Sequence, residues 1–169
     1  MTEKIIEKIS SYNIFNYLLP GVLFMVFAPA YLGSSLLSFF EQDLITSLFL
    51  AYFIGLVISR IGSIVIEKIL RKIKFVTFAG HKEFVVASDK DSKLEILSSE
   101  NNMYRTLISL FACLLFSYWF VGILEKNGGT IFDLYIWVFV VSLVIFLFSY
   151  RKQTKYITSR ISKIIEDIK

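Results

Sequence analysis

The sequence predicts an all-α membrane protein with four transmembrane helices and with both termini on the cytoplasmic side of the membrane. Hydrophobic residues occupy 56% of the 169 positions, and the mean hydropathy is +0.66. A soluble domain of ordinary composition is less apolar, and about a quarter of its residues are charged. Here the charged residues are only 19% of the chain. They are absent from four runs: 9–40, 44–59, 106–124 and 134–150.

The four uncharged runs set the expected membrane spans. A hydrocarbon core about 30 Å thick needs about 20 mainly apolar residues as a helix. The second run is short, but apolar residues continue past Arg60 to Ile66, and a long basic side chain at such a position reaches the interface. We therefore expect span 1 at 14–40, span 2 at 44–66, span 3 at 104–124 and span 4 at 131–150.

The basic residues predict the orientation. If spans 1 and 3 run outward, 17 of the 18 Lys and Arg residues lie on one side. Basic residues concentrate on the cytoplasmic side of membrane proteins with short loops. Both termini and the loop 67–103 are therefore expected in the cytoplasm. The pI of about 9.1 follows from this topology, so direct binding of nucleic acid is not expected.

The first span resembles a secretory signal, because Ala28-Pro29-Ala30 is a triplet of the kind that signal peptidase cleaves. Two features favour a retained span instead. The segment before it carries two acidic residues, Glu3 and Glu7, whereas a signal begins with a short basic leader. Cleavage would also leave three spans, with the side of the basic loop set by span 2 alone.

The segments outside the spans are expected to form amphipathic helices at the two termini, and a β-hairpin followed by a helix in the loop. Residues 1–12 and 151–169 predict amphipathic terminal helices, and the basic tail is expected to bind either anionic lipid or a partner helix. In the loop, "KFVTF" and "EFVVA" flank Gly80, a pattern that indicates a small β-hairpin. Neither Gly nor Pro occurs from Ser92 until Gly122, which predicts a long helix rising into span 3.

Groups that carry catalysis are scarce. The chain has one His, His81, and one Cys, Cys113, which falls in the middle of span 3. It contains no zinc-ligand spacing, no phosphate-binding glycine loop and no nucleophile motif. We therefore expect neither an enzyme nor a bound metal or cofactor.

Polar and small residues within the spans are the remaining candidates for function. One stripe on span 3 either packs against a neighbouring helix or lines a narrow path between subunits. A face of small residues on span 2 allows close helix contact, within the chain or between copies. The stripe is Thr106, Ser109, Cys113 and Ser117, and the small face is Gly55, Ser59, Gly62 and Ser63.

A third group of polar residues lies where spans 2 and 3 meet the cytoplasm. These side chains either anchor the helices at the lipid head groups or form a polar network that binds the loop or a soluble partner. The group consists of Arg60, Glu100, Asn101, Asn102, Tyr104 and Arg105.

"FNYLLPG", "SRIGS" and "ASDKDSKLEILSSENNMYRT", followed by two spans, resemble small bacterial membrane proteins found among anti-phage defence genes. The layout is similar to the four-span membrane component of the Kiwa system, and more loosely to the membrane accessories of type VI CRISPR systems. The resemblance implies oligomerisation in the inner membrane and a cytoplasmic trigger.

Two functions are consistent with these observations. The first is an oligomeric effector that perturbs or permeabilises the inner membrane on a cytoplasmic signal, and the polar stripe on span 3 favours it. The alternative is a non-conducting scaffold that recruits a soluble partner. The expected partners are membrane lipid, further copies of the chain and a soluble cytoplasmic defence protein.

Overall fold

The computed structural model describes residues 11–29, 43–124 and 132–168, and these residues contain five helices. Three of them, α2, α4 and α5, are long and apolar enough to cross a membrane, while α1 is apolar but shorter. The helices are α1 (Ile14–Phe27), α2 (Leu44–Lys72), α3 (His81–Lys90), α4 (Lys93–Leu124) and α5 (Phe132–Glu166).

Some of the predicted segments lie outside the described residues. These are most of the N-terminal amphipathic helix, the part of span 1 beyond Pro29, and the whole connection between spans 3 and 4. The described residues therefore confirm an all-α fold with three helices of membrane-spanning length, and the fourth span stays a prediction.

The predicted β-hairpin is wrong, since no strand occurs in the described residues, which include the whole of 74–87. The first half of the predicted hairpin, 74–78, is a turn and extended chain, and the second half belongs to α3. The Gly80 N–H donates to the Glu83 carboxylate (3.1 Å) and so caps the start of α3. Phe84 and Ala87 then face the same core at helical spacing. A short β-rich run can serve either structure, and the cap together with the apolar spacing favoured the helix.

Helices α1 and α2 cross at unusually close range because two glycines lie at the contact. A Cβ atom on Gly55 would lie 1.6 Å from the carbonyl oxygen of Tyr17, and one on Gly21 would lie 1.7 Å from that of Ala51. Neither position has room for a side chain. Small residues provide such contacts in membranes, where no hydrophobic effect drives two helices together.

Helix α1 contains a π-helical turn, Ile14–Leu18, directly before Pro20. A proline inside a helix clashes with the carbonyl group four residues earlier, here that of Asn16. The wider turn relieves this clash, so the helix continues through Pro20. It also leaves Asn16 buried in the interior, with 1% of its surface exposed.

Helices α4 and α5 pack side by side and extend well beyond a bilayer. Their 32 and 35 residues correspond to about 48 and 52 Å, against about 30 Å for a hydrocarbon core. The aromatic rings of Phe111 and Phe146 stack between them with centroids 5.8 Å apart. Both helices therefore continue unbroken from an apolar segment into a polar one.

The polar ends of α2, α4 and α5 combine with α3 in what we call the extramembrane unit, residues 67–105 and 151–168. Its core consists of four buried side chains, Ala87, Leu94, Ile157 and Ile161. The predicted amphipathic tail is thus the end of α5, and its apolar face packs against α3 and α4 of the same chain.

Replacement of Gly55 by Ala is expected to destabilise the fold, because the new Cβ would overlap the backbone of Tyr17. Overpacking typically costs about 1–3 kcal/mol. Thermal unfolding of the purified protein in detergent provides the measurement.

Gly62→Ala in the same helix is the matched control. Its Cβ would meet the Arg105 carbonyl oxygen and the Ser109 Cβ at 3.3 Å, a contact that a small shift relieves, while both substitutions gain similar helix propensity. Equal melting temperatures for the two variants would contradict the proposed crossing.

Candidate functional site

A cluster of three buried polar side chains joins α1, α2 and α4, and we call it the polar cluster. Asn16 Oδ1 lies 2.6 Å from Thr106 Oγ1, and Asn16 Nδ2 lies 3.3 Å from Ser59 Oγ. The two hydroxyl oxygens are 3.1 Å apart. None of the three residues is more than 5% exposed.

The hydrogens of the polar cluster can be assigned to a closed ring. Thr106 has one hydroxyl hydrogen, and its shortest contact is with the Asn16 carbonyl oxygen, which it donates to. Asn16 donates its amide hydrogen to Ser59, and the Ser59 hydroxyl then donates to Thr106. Each bond in such a ring polarises the next, and a buried polar group without a partner would be costly. The ring therefore sets the register of the three helices.

A charged network lies about two turns further along α2, in the extramembrane unit. Glu67 binds Arg105 of α4 through Oε2 (2.6 Å) and Arg71 through Oε1 (2.8 Å). The side chains of Glu67 and Arg105 are 18% and 14% exposed. Arg105 Nε is buried and has no partner among the described residues. Two guanidinium groups thus share one carboxylate, which leaves a net positive charge.

The far end of the extramembrane unit is closed by an ion pair. Arg160 of α5 donates to the carboxylate of Asp91, which lies two residues before the start of α4. This bond to the guanidinium lowers the pKa of the Asp91 carboxyl below its ordinary value. Nearer the membrane, the Thr154 hydroxyl of α5 donates to Asn101 Oδ1 (3.2 Å). These contacts hold α4 and α5 together over the polar part of their length.

The polar stripe predicted on span 3 is divided between two environments. Thr106 and Ser109 are fully buried, and Ser109 Oγ donates to the carbonyl oxygen of Ile58 (2.8 Å). Cys113 and Ser117 instead line an apolar groove of about 660 Å³ between α2 and α4. The structure therefore places the first two residues in the packing between helices of one chain.

The small face predicted on span 2 contacts other helices of the same chain. Gly55 and Ser59 face α1, and Gly62 lies against Arg105 and Ser109 of α4. Ser63 is half-buried.

The third predicted group does not form one network. Arg60 and Glu100 are exposed, and Glu100 accepts a hydrogen bond from Gln153 Nε2 (3.0 Å). Asn101 is buried beside Thr154. The remaining contacts are those of the Asn102 carbonyl with Thr106, the Tyr104 ring with Phe146, and Arg105 with Glu67.

Several residues of these sites were not among the sequence candidates, among them Asn16, Glu67, Arg71, Asp91, Thr154 and Arg160. Asn16 had a detectable signal, since it is an uncharged polar residue inside an apolar run. Glu67 had one as well, because it follows span 2 at about the depth at which Arg105 precedes span 3. A single sequence does not pair them with their partners, which are 90 and 38 positions away.

No protein-family model, curated protein or solved structure matches this chain. Among the described residues, no group of three His, Cys, Asp or Glu side chains could hold a metal ion. The polar cluster contains only amide and hydroxyl groups, so what it provides is helix registration.

The bonds of the polar cluster are expected to be coupled energetically. Thr106→Val removes one hydroxyl, Asn16→Leu removes the amide, and the double variant should lose less stability than the two single variants added together. Interhelical hydrogen bonds in membranes contribute about 0.6 kcal/mol on average and up to about 1.7. Unfolding in mixed micelles would measure the coupling energy.

Ser149→Ala is the control substitution for this cycle. Ser149 Oγ bonds only to the Ile145 carbonyl of its own helix among the described residues, so combining it with Asn16→Leu should give additive losses. A coupling of zero between Asn16 and Thr106 would contradict the hydrogen-bonded ring.

Proposed function

We propose that this chain is a membrane-anchored, non-enzymatic scaffold that presents the extramembrane unit to a soluble partner at the cytoplasmic face of a bacterial inner membrane. The observation that carries the proposal is the unbroken passage of α4 and α5 from an apolar segment into the polar unit. A partner bound to that unit would be held at a defined distance from the bilayer, since no hinge separates the two parts of either helix.

The closed packing of the protomer favours a scaffold over a conducting path. A water-filled path along α4 would need polar side chains that face an opening. Thr106 and Ser109 are instead fully buried, and their hydroxyl groups bond within the chain. Two of the four polar positions that suggested conduction in the sequence are thereby used in helix packing.

The proposed partner surface is the outer face of α3. Val85 and Val86 are 44% and 43% exposed, although they lie in the polar part of the molecule. The same helix exposes two basic and two acidic residues, Lys82, Glu83, Asp89 and Lys90. Such a surface suits a protein with an apolar patch that is bordered by charged residues of both signs. The resemblance to defence-associated membrane proteins would make this partner a soluble defence protein.

Photo-crosslinking in cells would test the scaffold. Benzoylphenylalanine placed at Val86 is expected to form an adduct with a soluble protein, because that position faces the cytoplasm in the proposed orientation. The adduct is measured as a shifted band that contains this chain and a second polypeptide.

The matched control is the same replacement at Val141, which is 53% exposed on the apolar part of α5. It should give no adduct with a soluble protein. The scaffold proposal fails if Val86 yields none either, or if the two positions give the same pattern.

A second candidate function is an oligomeric effector that permeabilises the membrane. The observation that favours it is the apolar groove between α2 and α4, whose lining includes the half-buried side chains of Cys113 and Ser117. Phe53 and Phe116 at this groove are 57% and 64% exposed. If a second copy of the chain bound in this groove, Cys113 and Ser117 of both copies would lie close together between the subunits.

Thiol labelling would distinguish the two functions. In membrane vesicles with the cytoplasmic face outward, a charged, water-soluble thiol reagent is expected to leave Cys113 unmodified if the protein is a scaffold. Water and thiolate must both be present for the reaction. Modification is measured by mass spectrometry of the intact chain.

A Ser92→Cys variant provides the internal control, because Ser92 is exposed in the extramembrane unit and should react quickly. Rapid modification of Cys113 together with leakage of the vesicles would favour the effector. Failure of the cysteine at position 92 to react in these vesicles would contradict the proposed orientation.

A further inference from the structure

The extramembrane unit contains a partly open cavity of about 280 Å³, to which α3, α4 and α5 each contribute. We call it the α3 cavity. Ser98 and Asn101 of α4 lie on one side, Thr154 and Thr158 of α5 lie on another, and Arg71 reaches in from the end of α2. A molecule in this cavity would contact every helix that forms the unit.

The polar lining of the α3 cavity is suited to an anion. Among the described residues that line it, none is Asp or Glu, whereas Arg71 and His81 both are part of the wall. The Gly80 N–H at the start of α3 is already bonded to Glu83, so the anion preference depends on Arg71. Its only carboxylate partner among the described residues, Glu67, is shared with Arg105, and the positive charge is therefore not fully compensated.

Two contacts hold the Arg71 side chain and leave part of its N–H donors without a hydrogen bond. Its guanidinium carbon lies 4.1 Å from the centroid of the Phe78 ring, and one nitrogen, Nη2, pairs with Glu67. The Arg71 side chain is 54% exposed, and its Nε and Nη1 groups, which have no hydrogen-bond partner among the described residues, are open to water or to a ligand. A stacked guanidinium presents its remaining N–H groups in one plane, the geometry that phosphate oxygens accept in pairs.

A second donor in the lining of the cavity belongs to Asn101. Asn101 is 6% exposed, and its Oδ1 accepts the bond from Thr154. Its Nδ2 group has no hydrogen-bond partner among the described residues. Among the described residues the buried side-chain atom without a partner is Arg105 Nε, so the Asn101 donor is accessible to water or to an oxygen of a ligand. The opposite wall is apolar and includes Phe84, Ile157 and Ile161.

We infer that the α3 cavity binds a phosphate-bearing ligand, with the phosphate at Arg71, an oxygen at Asn101 and an apolar or ring portion against Phe84 and Ile157. The volume is near the lower end for small-molecule sites, about 300 Å³. Two sources have this chemistry: a soluble organic phosphate of mononucleotide size, or the head group of an anionic lipid. A ligand bound in the α3 cavity would hold α3 against α4 and α5.

Calorimetry on the purified full-length protein in detergent would test the site, with AMP and inorganic phosphate as probes. The wild type is expected to bind AMP more tightly than phosphate, because the apolar wall adds contact. Arg71→Gln should weaken AMP binding about tenfold or more, since it removes a charged hydrogen-bond donor.

Arg151→Gln is the matched control. Arg151 also stacks on a phenylalanine, 4.9 Å from the Phe75 centroid, but it does not line the α3 cavity, so its replacement should leave AMP binding unchanged. Equal losses in the two variants would overturn the site, as would absence of binding of AMP, phosphate and anionic lipid by the wild type.

A second pair of variants fills the cavity without changing charge. Ser98→Leu projects into the α3 cavity, whereas Ser99→Leu, the next residue of α4, lines a separate cavity with Ile96 and Met103. Binding should be lost in the first variant and retained in the second. The opposite result, or retention in both, would overturn the proposal.

Nanodiscs with and without phosphatidic acid would separate the two ligand sources. If a lipid head group occupies the site, phosphatidic acid should abolish AMP binding, and native mass spectrometry should find this lipid retained by the wild type and lost in Arg71→Gln. If the ligand is soluble, AMP binding should be unaffected by the lipid. These measurements need no partner protein, so their failure would leave the scaffold proposal unaffected.

Discussion

The ring of hydrogen bonds among Asn16, Ser59 and Thr106 is the constraint on which the membrane part of this structure depends. Inside a bilayer, apolar side chains gain nothing by leaving lipid for another helix, so polar contacts and close backbone packing must select the arrangement. The ring selects one register of α1, α2 and α4. It also explains the glycines, because Asn16 reaches Ser59 only when α1 and α2 approach as closely as Gly55 and Gly21 allow.

The extramembrane unit is held by a different set of forces. Its apolar core of Ala87, Leu94, Ile157 and Ile161 is small, and it is bordered by ionic contacts at both ends, Glu67 with Arg105 and Asp91 with Arg160. Ion pairs that are partly exposed contribute little stability each. Their value here is positional, since they connect α2 with α4 and α4 with α5 at opposite ends of the unit.

Features set by local sequence could be predicted, and features set by distant partners could not. The absence of Gly and Pro from Ser92 to Val121 predicted a long helix into span 3, and α4 confirms it. The predicted hairpin at 74–87 was wrong because a short apolar run is compatible with a strand and with a helix. The packing of Phe84 and Ala87 against one core favours the helix, and the sequence does not show that core. The sequence singled out Ser59 and Thr106 as polar positions. That both of them bond to Asn16 can be seen only from the tertiary structure.

The arrangement of α4 connects the two parts of the molecule. Thr106 bonds in the ring, Arg105 pairs with Glu67, and Asn101 opens into the α3 cavity, all within about 8 Å of helix axis. A rigid helix cannot shift at one of these positions without shifting at the others. Two distant sites are coupled when a structural element between them has two conformations, and when binding at either site shifts the equilibrium between those conformations. In this chain α4 and α2 are the elements through which an event at the α3 cavity would reach the membrane helices, because each of them carries residues of the ring, the ion pair and the cavity.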